Sequence, residues 1–248
     1  MSAPENPLTN GRRPAMLICD IDGTLTDDWN YALHPGLPEA FRRLEANGVP
    51  VALATGNVRP VAWALSRHLG LTGPLICENG GVVWDWRREK EVQYLADGTR
   101  ARLACEWLAT RIPDLDSAGI SSNAWRESEW CLYTHEDKEA IEMELAQSEW
   151  SDLEVVRTGF AIHINDPGLN KGAGIRLALE PLEIDPSECI GVGDSPNDLP
   201  MFSTVGWAVA VGCAFPEVKA AANAVASDDL IGGHTVIALI EEILSLPE

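Results

Sequence analysis

The sequence predicts an α/β fold: a doubly wound, mainly parallel sheet with a smaller α+β unit inserted into it. Three observations predict it. Short apolar, β-branched segments alternate with amphipathic ones toward both ends of the chain, as fully buried strands and their crossover helices do. The middle, from about residue 84 to 160, turns charged and holds six of the nine tryptophans. Loops of Asp, Thr and Gly follow the apolar segments at equivalent places, as at the carboxyl edge of an open parallel sheet.

Residues 1–14 read as an extension ahead of the fold. The run 15–21 is the first strand, and it leads straight into Cys19-Asp20-Ile21-Asp22-Gly23-Thr24-Leu25-Thr26-Asp27-Asp28. A helix over 37–46 stops at Asn47-Gly48, a strand follows over 49–54, and Thr55-Gly56-Asn57 separates it from a helix over 58–69 that stops at Gly70. The inserted unit, 84–159, shows candidate strands at 81–86, 130–134 and 154–156, with helical periodicity at 100–110 and 136–147. Its tryptophans are expected to pack its own core and the hinge surface. The main unit, 15–83 and 160–248, then resumes. It has Lys171 in GLNKGAG, a helix over 173–179, and a strand over 189–192 ending in Gly193-Asp194-Ser195-Pro196-Asn197-Asp198. A strand over 207–211 and helices over 216–222 and 235–244 complete it.

Composition narrows the function. The chain has 248 residues, 46% of them hydrophobic, enough to bury a full core. No apolar stretch approaches the roughly 20 residues of a membrane span, and the start lacks a signal-peptide centre, so a cytoplasmic protein is expected. The 38 acidic residues against 18 Lys and Arg give a net charge of -20, which argues against nucleic acid as a partner and suits a salt-rich cytoplasm. In so acidic a chain, Asp27 and Asp28 read as solvated surface. The six cysteines form no CxxC pair, so buried free thiols are expected instead of a zinc site or a disulfide framework.

Strand order would carry Asp20, Asp22, Asp194 and Asp198 to one crevice. Carboxylates that close persist together when a cation neutralises them or one keeps its proton. Oxygen ligands without Cys or His suit Mg²⁺. Lys171 adds a second positive charge, and the glycines near Thr55 and Gly193 let backbone N–H groups face an anion. That set describes a phosphate site with a carboxylate nucleophile, Asp20, and an adjacent acid/base, Asp22.

Asp20-x-Asp22-Gly23-Thr24-Leu25-Thr26, Thr55-Gly56, Lys171 and Gly193-Asp194-x-x-Asn197-Asp198 resemble, in order, the four motifs of the haloacid-dehalogenase-type phosphatases. The resemblance implies a Rossmann-like core, Mg²⁺ and an aspartyl-phosphate route. It casts Asp20 as nucleophile and metal ligand, Asp22 as acid/base with its carbonyl on the metal, and Thr55, Gly56, Asn57 and Lys171 on phosphate. Asp194 becomes a metal ligand, with Asn197 and Asp198 supporting the metal and the lysine. An insertion between the Thr55 and Lys171 motifs matches the C2-type cap of Cof-like and sucrose-phosphate phosphatases. The stretches 56–81 and 123–129 are similar to archaeal-type phosphoglycolate phosphatases, which implies a small phosphorylated substrate. The acid expected before the lysine is Asn170 here.

In the cap, Arg126 is the candidate for a substrate carboxylate, with Arg59 a weaker one. His34 and His163 read as structural, and Asn79 as a turn cap that the resemblance sets near the phosphate crevice. The alternatives are a sugar-phosphate phosphatase, a phosphomannomutase-like phosphotransferase, a receiver-type signalling domain and a phosphate-binding module without catalysis. Asp22, the Gly193–Asp198 loop and the large insertion weigh against the receiver, and the presence of both Asp20 and Asp22 weighs against the binding module.

Overall fold

The computed structural model describes residues 12–26, 32–88 and 90–247; Asp27, Asp28 and most of the N-terminal extension lie outside the described residues. In chain order the strands and helices are β1 (Met16–Cys19), α1 (Leu37–Ala46), β2 (Val51–Ala54), α2 (Arg59–Leu69), β3 (Leu75–Cys77), β4 (Val82–Trp84), β5 (Gln93–Tyr94) and α3 (Gly98–Leu108). Then come β6 (Glu129–Leu132), α4 (Lys138–Leu145), β7 (Glu154–Arg157), β8 (Ile162–Asn165), α5 (Lys171–Leu179) and β9 (Cys189–Gly193). α6 (Leu199–Phe202), β10 (Trp207–Ala210), α7 (Pro216–Ala221), β11 (Ala224–Val225) and α8 (Gly233–Ser245) close the chain.

Eight strands form one sheet in the order β11-β10-β9-β1-β2-β3-β4-β5, parallel from β11 to β3 and antiparallel beyond. The central strands β1, β2 and β9 are buried at every position, which is why they read as unbroken apolar runs. The α1 residues Leu37, Ala40, Phe41 and Leu44 fall on one helical face and sink into the core beside the sheet. β1 has β2 on one side and β9 on the other, so the crossovers leave in opposite directions and a crevice opens at its carboxyl end.

A second, three-stranded antiparallel sheet, β6-β8-β7, packs with α3 and α4 around a separate apolar core that includes Ala104, Leu108, Leu132, Ile141 and Ile164. Trp107, Trp130 and Trp150 border that core, Trp84 and Trp86 pack with Trp63 on the larger one, and Trp125 is exposed. The middle strand β8 lies beyond residue 159, and β5 belongs to the larger sheet. We therefore propose that the inserted unit spans about 95–166.

Four strands escape the apolar pattern. β3 is three residues long, and β5 and β11 are two-residue edge strands. β8 reads Ile-His-Ile-Asn, yet all four residues are buried: Glu129 on the neighbouring strand β6 partners His163, and the Asn165 amide donates to the carbonyl of the next residue, Asp166. Five cysteines are buried free thiols; the sixth, Cys213, departs from the expectation and is exposed.

Candidate active site

Asp20 is the first residue after β1, and its N–H donates to the Val192 carbonyl of β9 at 3.0 Å. Its side chain is 6% exposed. Lys171 opens α5, a position where the positive end of the helix dipole opposes its charge. The lysine is fully buried and donates to Asp20 Oδ1 at 2.7 Å and Asp198 Oδ1 at 2.6 Å. Burial works against its charge, and the two carboxylates outweigh that and raise its pKa. Asn170 is the N-cap of α5, its side chain accepting from Ala173 N at 3.0 Å. The neutral residue before the lysine thus serves the helix, and Asp20 and Asp198 serve the lysine.

Asp198 uses both oxygens within the protein, since Oδ2 accepts from the N–H groups of Asp194 at 3.0 Å and Ser195 at 3.1 Å. That arrangement fixes the loop after β9 and sets Asp194 beside Asp20. Thr24 donates to Asp194 Oδ1 at 3.3 Å. Asp20, Asp194 and Asp198 each offer an oxygen within 4.8 Å of the others. Burial, with Asp198 and Asp22 adding to it, pushes Asp20 up to about 7 against the opposing pull of Lys171. Burial also raises Asp22, countered by Lys171 and by Asn57, whose amide donates to its carboxylate. Asp20 and Asp194, hard carboxylates held this close with Asp198 committed to Lys171 and the loop beside them, fit a divalent cation, whose charge would relieve that penalty.

Thr55 follows β2 and is buried; its hydroxyl accepts from Asn57 N at 3.0 Å. Asp20, Asp22, Gly56, Asn57, Asp194 and Asn197 line a cavity of about 820 Å³, while Thr55, Lys171 and Asp198 sit behind that lining. The inserted unit contributes Thr158, Gly159 and Phe160 from the β7–β8 hairpin, and the β10 side contributes Cys213 and Phe215. Sequence reading missed all five, because neither the hairpin tip nor the loop between β10 and α7 carries a periodic signal. Among the described residues, no Lys, Arg or His lines the cavity.

Arg126 and Arg59 are placed elsewhere. Arg126 has a side chain 1% exposed and donates to Glu129 and, at 3.2 Å, to the Gly56 carbonyl. Arg59 forms a two-pronged pair with Glu127 at 2.8 Å on both prongs. Both contacts tie the inserted unit to the larger one. Glu78, missed from sequence, does the same: this buried carboxylate accepts from Glu127 N, Ser128 N and Ser128 Oγ at 2.8 to 3.1 Å. Glu129, Cys131 and His163 form another compact buried group of metal-ligand types. Burial alone would raise Glu129, but His163 and Arg126 outweigh it and hold the carboxyl at about 2. Since Arg126 already neutralises this carboxylate, a divalent ion there would face a guanidinium, and we read the group as a polar clasp.

The family model for haloacid dehalogenase-like hydrolases matches residues 17–104 and 120–233. A phosphoglycolate phosphatase of Methanothermobacter thermautotrophicus is 36% identical over 211 residues, 85% of this chain and 91% of that protein. One from Haloarcula marismortui is 39% identical over 196 residues, 79% of this chain and 83% of that protein. Among solved structures, a Thermoplasma acidophilum protein superposes with a TM-score of 0.82 at 25% identity, covering 94% of this chain and 99% of its own. From the match across both sheets and the loops that follow β1, β2 and β9, this chain belongs to the haloacid dehalogenase-like hydrolases.

Proposed function

We propose that the protein is a Mg²⁺-dependent phosphomonoesterase that hydrolyses 2-phosphoglycolate to glycolate and phosphate through a phosphoenzyme on Asp20. The observation that carries this is the state of Asp20 at the cavity floor. Lys171 holds Oδ1, and Oδ2 accepts no hydrogen bond from any described residue. One oxygen is thus oriented and the other is available for attack. Curated relatives bearing the phosphoglycolate phosphatase name over most of both chains supply the substrate.

In the first step an Asp20 oxygen bonds to phosphorus as the P–O bond to the alcohol breaks, and Asp22 gives its proton to the departing oxygen. In the second, Asp22 takes a proton from water as the water oxygen attacks the same phosphorus, releasing phosphate and restoring Asp20. The raised pKa of Asp22 suits a group that must give and then take a proton. Asp20, Asp194 and the Asp22 carbonyl would hold Mg²⁺, whose charge offsets that of the phosphate and the carboxylates. Asp198 and Asn197, whose polar atoms already have protein partners, would support the lysine and the loop. The buried thiols suit a reducing compartment, and we place the enzyme in the cytoplasm.

A second reading, a sugar-phosphate phosphatase, is favoured by one feature. The cavity is spacious for a two-carbon substrate and its lining offers no cation for a carboxylate. A phosphate-release screen over phosphoglycolate, hexose phosphates and nucleotides, with and without Mg²⁺, separates them. The proposal expects Mg²⁺-dependent release fastest on phosphoglycolate, with no phosphorylated product. Comparable rates on hexose phosphates would replace it with the second reading, and transfer to a sugar acceptor would make the protein a phosphotransferase.

A further inference from the structure

Asn79 follows β3 in a left-handed conformation, φ 54° and ψ 27°, one that Asn adopts more readily than most residues. Its N–H donates to the Thr55 carbonyl at 3.0 Å, which anchors it behind the phosphate loop. The side chain reaches in two directions. On one side Oδ1 accepts from Asn197 Nδ2 at 3.0 Å, and Asn197 Oδ1 accepts in turn from Ser195 Oγ at 2.5 Å, so this contact bears on the loop that presents Asp194. On the other side Nδ2 lies 3.3 Å from Glu129 Oε2 and 3.2 Å from His163 Nδ1, both in the inserted unit.

His163 continues the connection to the cavity. Its Nε2 lies 3.1 Å from Thr158 Oγ1, and the Phe160 ring meets the imidazole edge-on at a centroid distance of 5.1 Å. Thr158 and Phe160 line the same cavity as Asp20, Asp22 and Asp194. A continuous chain of contacts therefore runs from Phe160 through His163, Asn79 and Asn197 to the Asp194 loop. Both amide ends of Asn79 are committed, so a change at one end disturbs the other.

We propose that Asn79 is a positioning residue that couples the cavity hairpin of the inserted unit to the acidic loop, so that seating of the hairpin sets how tightly the acidic site holds a divalent cation. This rests on the phosphomonoesterase reading for its purpose. Linkage makes the coupling reciprocal: whatever seats the hairpin tightens the cation, and the cation favours the seated hairpin by the same factor.

The test is a calorimetric Mg²⁺ titration of substrate-free protein in four forms: wild type, Asn79→Gly, Phe160→Ala and the double variant. Glycine accepts the positive φ without strain, so Asn79→Gly removes the side chain alone. The expected result is Mg²⁺ binding weakened about fivefold by Asn79→Gly, the order of one lost buried hydrogen bond. Phe160→Ala, on the cavity rim, should weaken Mg²⁺ measurably in the wild-type background and not in the Asn79→Gly background. In turnover, Asn79→Gly should raise the Mg²⁺ needed for half-activation while the KM for the phosphate ester stays within twofold. Mg²⁺ affinity unchanged in a natively melting Asn79→Gly overturns the proposal. So do equal Phe160→Ala effects in both backgrounds, or a wild type that binds no Mg²⁺. Should Asn79→Gly fail to fold, Phe160→Ala alone decides, since unaltered Mg²⁺ affinity there contradicts the coupling. Loss of the phosphatase reading would show separately, as a wild type that releases no phosphate.

Discussion

Replacing Asp20 with asparagine should abolish turnover and stabilise the metal-free protein at alkaline pH. Burial raises the Asp20 carboxyl from 3.8 to about 7 in the fold. A group whose folded pKa lies above its unfolded one contributes stability fully present below the unfolded value and lost as pH rises toward the folded value. A difference of about three pKa units corresponds to roughly 4 kcal/mol lost by pH 8, against about 2 kcal/mol at pH 5. Asparagine matches the protonated carboxyl in shape and carries no charge at any of these pH values. The pull of Lys171 on the ionised carboxylate is already contained in that difference, because it lowers the Asp20 value against burial, and Lys171 keeps Asp198 in the variant. The expectation is a variant about 4 kcal/mol more stable than wild type at pH 8, with an advantage that shrinks by about 2 kcal/mol at pH 5. Urea titration in a chelator at both pH values measures it. Mg²⁺ should stabilise wild type and leave the variant nearly unmoved. A variant less stable by the same amount at both pH values would refute the idea that Asp20 sits strained for its reaction.

Other substitutions probe the frame. Glu129→Gln should cost about 3 kcal/mol at pH 7, because a carboxyl held at about 2 contributes stability that is present above 4.5 and lost as pH falls through 2. At pH 3 the cost should fall to about 1 kcal/mol, and an equal loss at both pH values by denaturant titration would show that charge is irrelevant there. Gly80→Ala should destabilise by more than about 2 kcal/mol, since φ is 104° and a Cβ would overlap the Asn170 carbonyl of the lysine loop. Gly48→Ala, also at positive φ but with open space around it, should cost about 1 kcal/mol, and similar losses at the two sites would dismiss the close approach. With a net charge of -20, the melting temperature should climb by several degrees from dilute to molar KCl, and a flat response would remove the reading of a salt-adapted surface.

The parts legible in sequence are those whose burial is one-sided in chemistry. β1, β2 and β9 are apolar throughout, so the sheet and the loops at its carboxyl edge could be read directly, and with them Asp20, Thr55 and Asp194. Lys171 was legible through its motif, although its expected helix began two residues later than the one observed. What escaped was polar burial. Glu78, Glu129 and His163 are fully buried because groups far along the chain satisfy them, and no local pattern announces such partners. Arg126 shows the same limit in reverse. A lone arginine near a motif suggested a substrate ligand, whereas its guanidinium meets Glu129 and the Gly56 carbonyl at the junction of the two units.

The central claim is that Asp20 becomes phosphorylated during turnover. Quenching the enzyme in the act with borohydride reduces an acyl phosphate to an alcohol, and peptide mass spectrometry then locates the altered residue. The account predicts homoserine at position 20, dependent on Mg²⁺ and on substrate, and absent from Asp20→Asn. An unmodified Asp20 during full turnover, or modification at Asp22 or Asp194 instead, would contradict it.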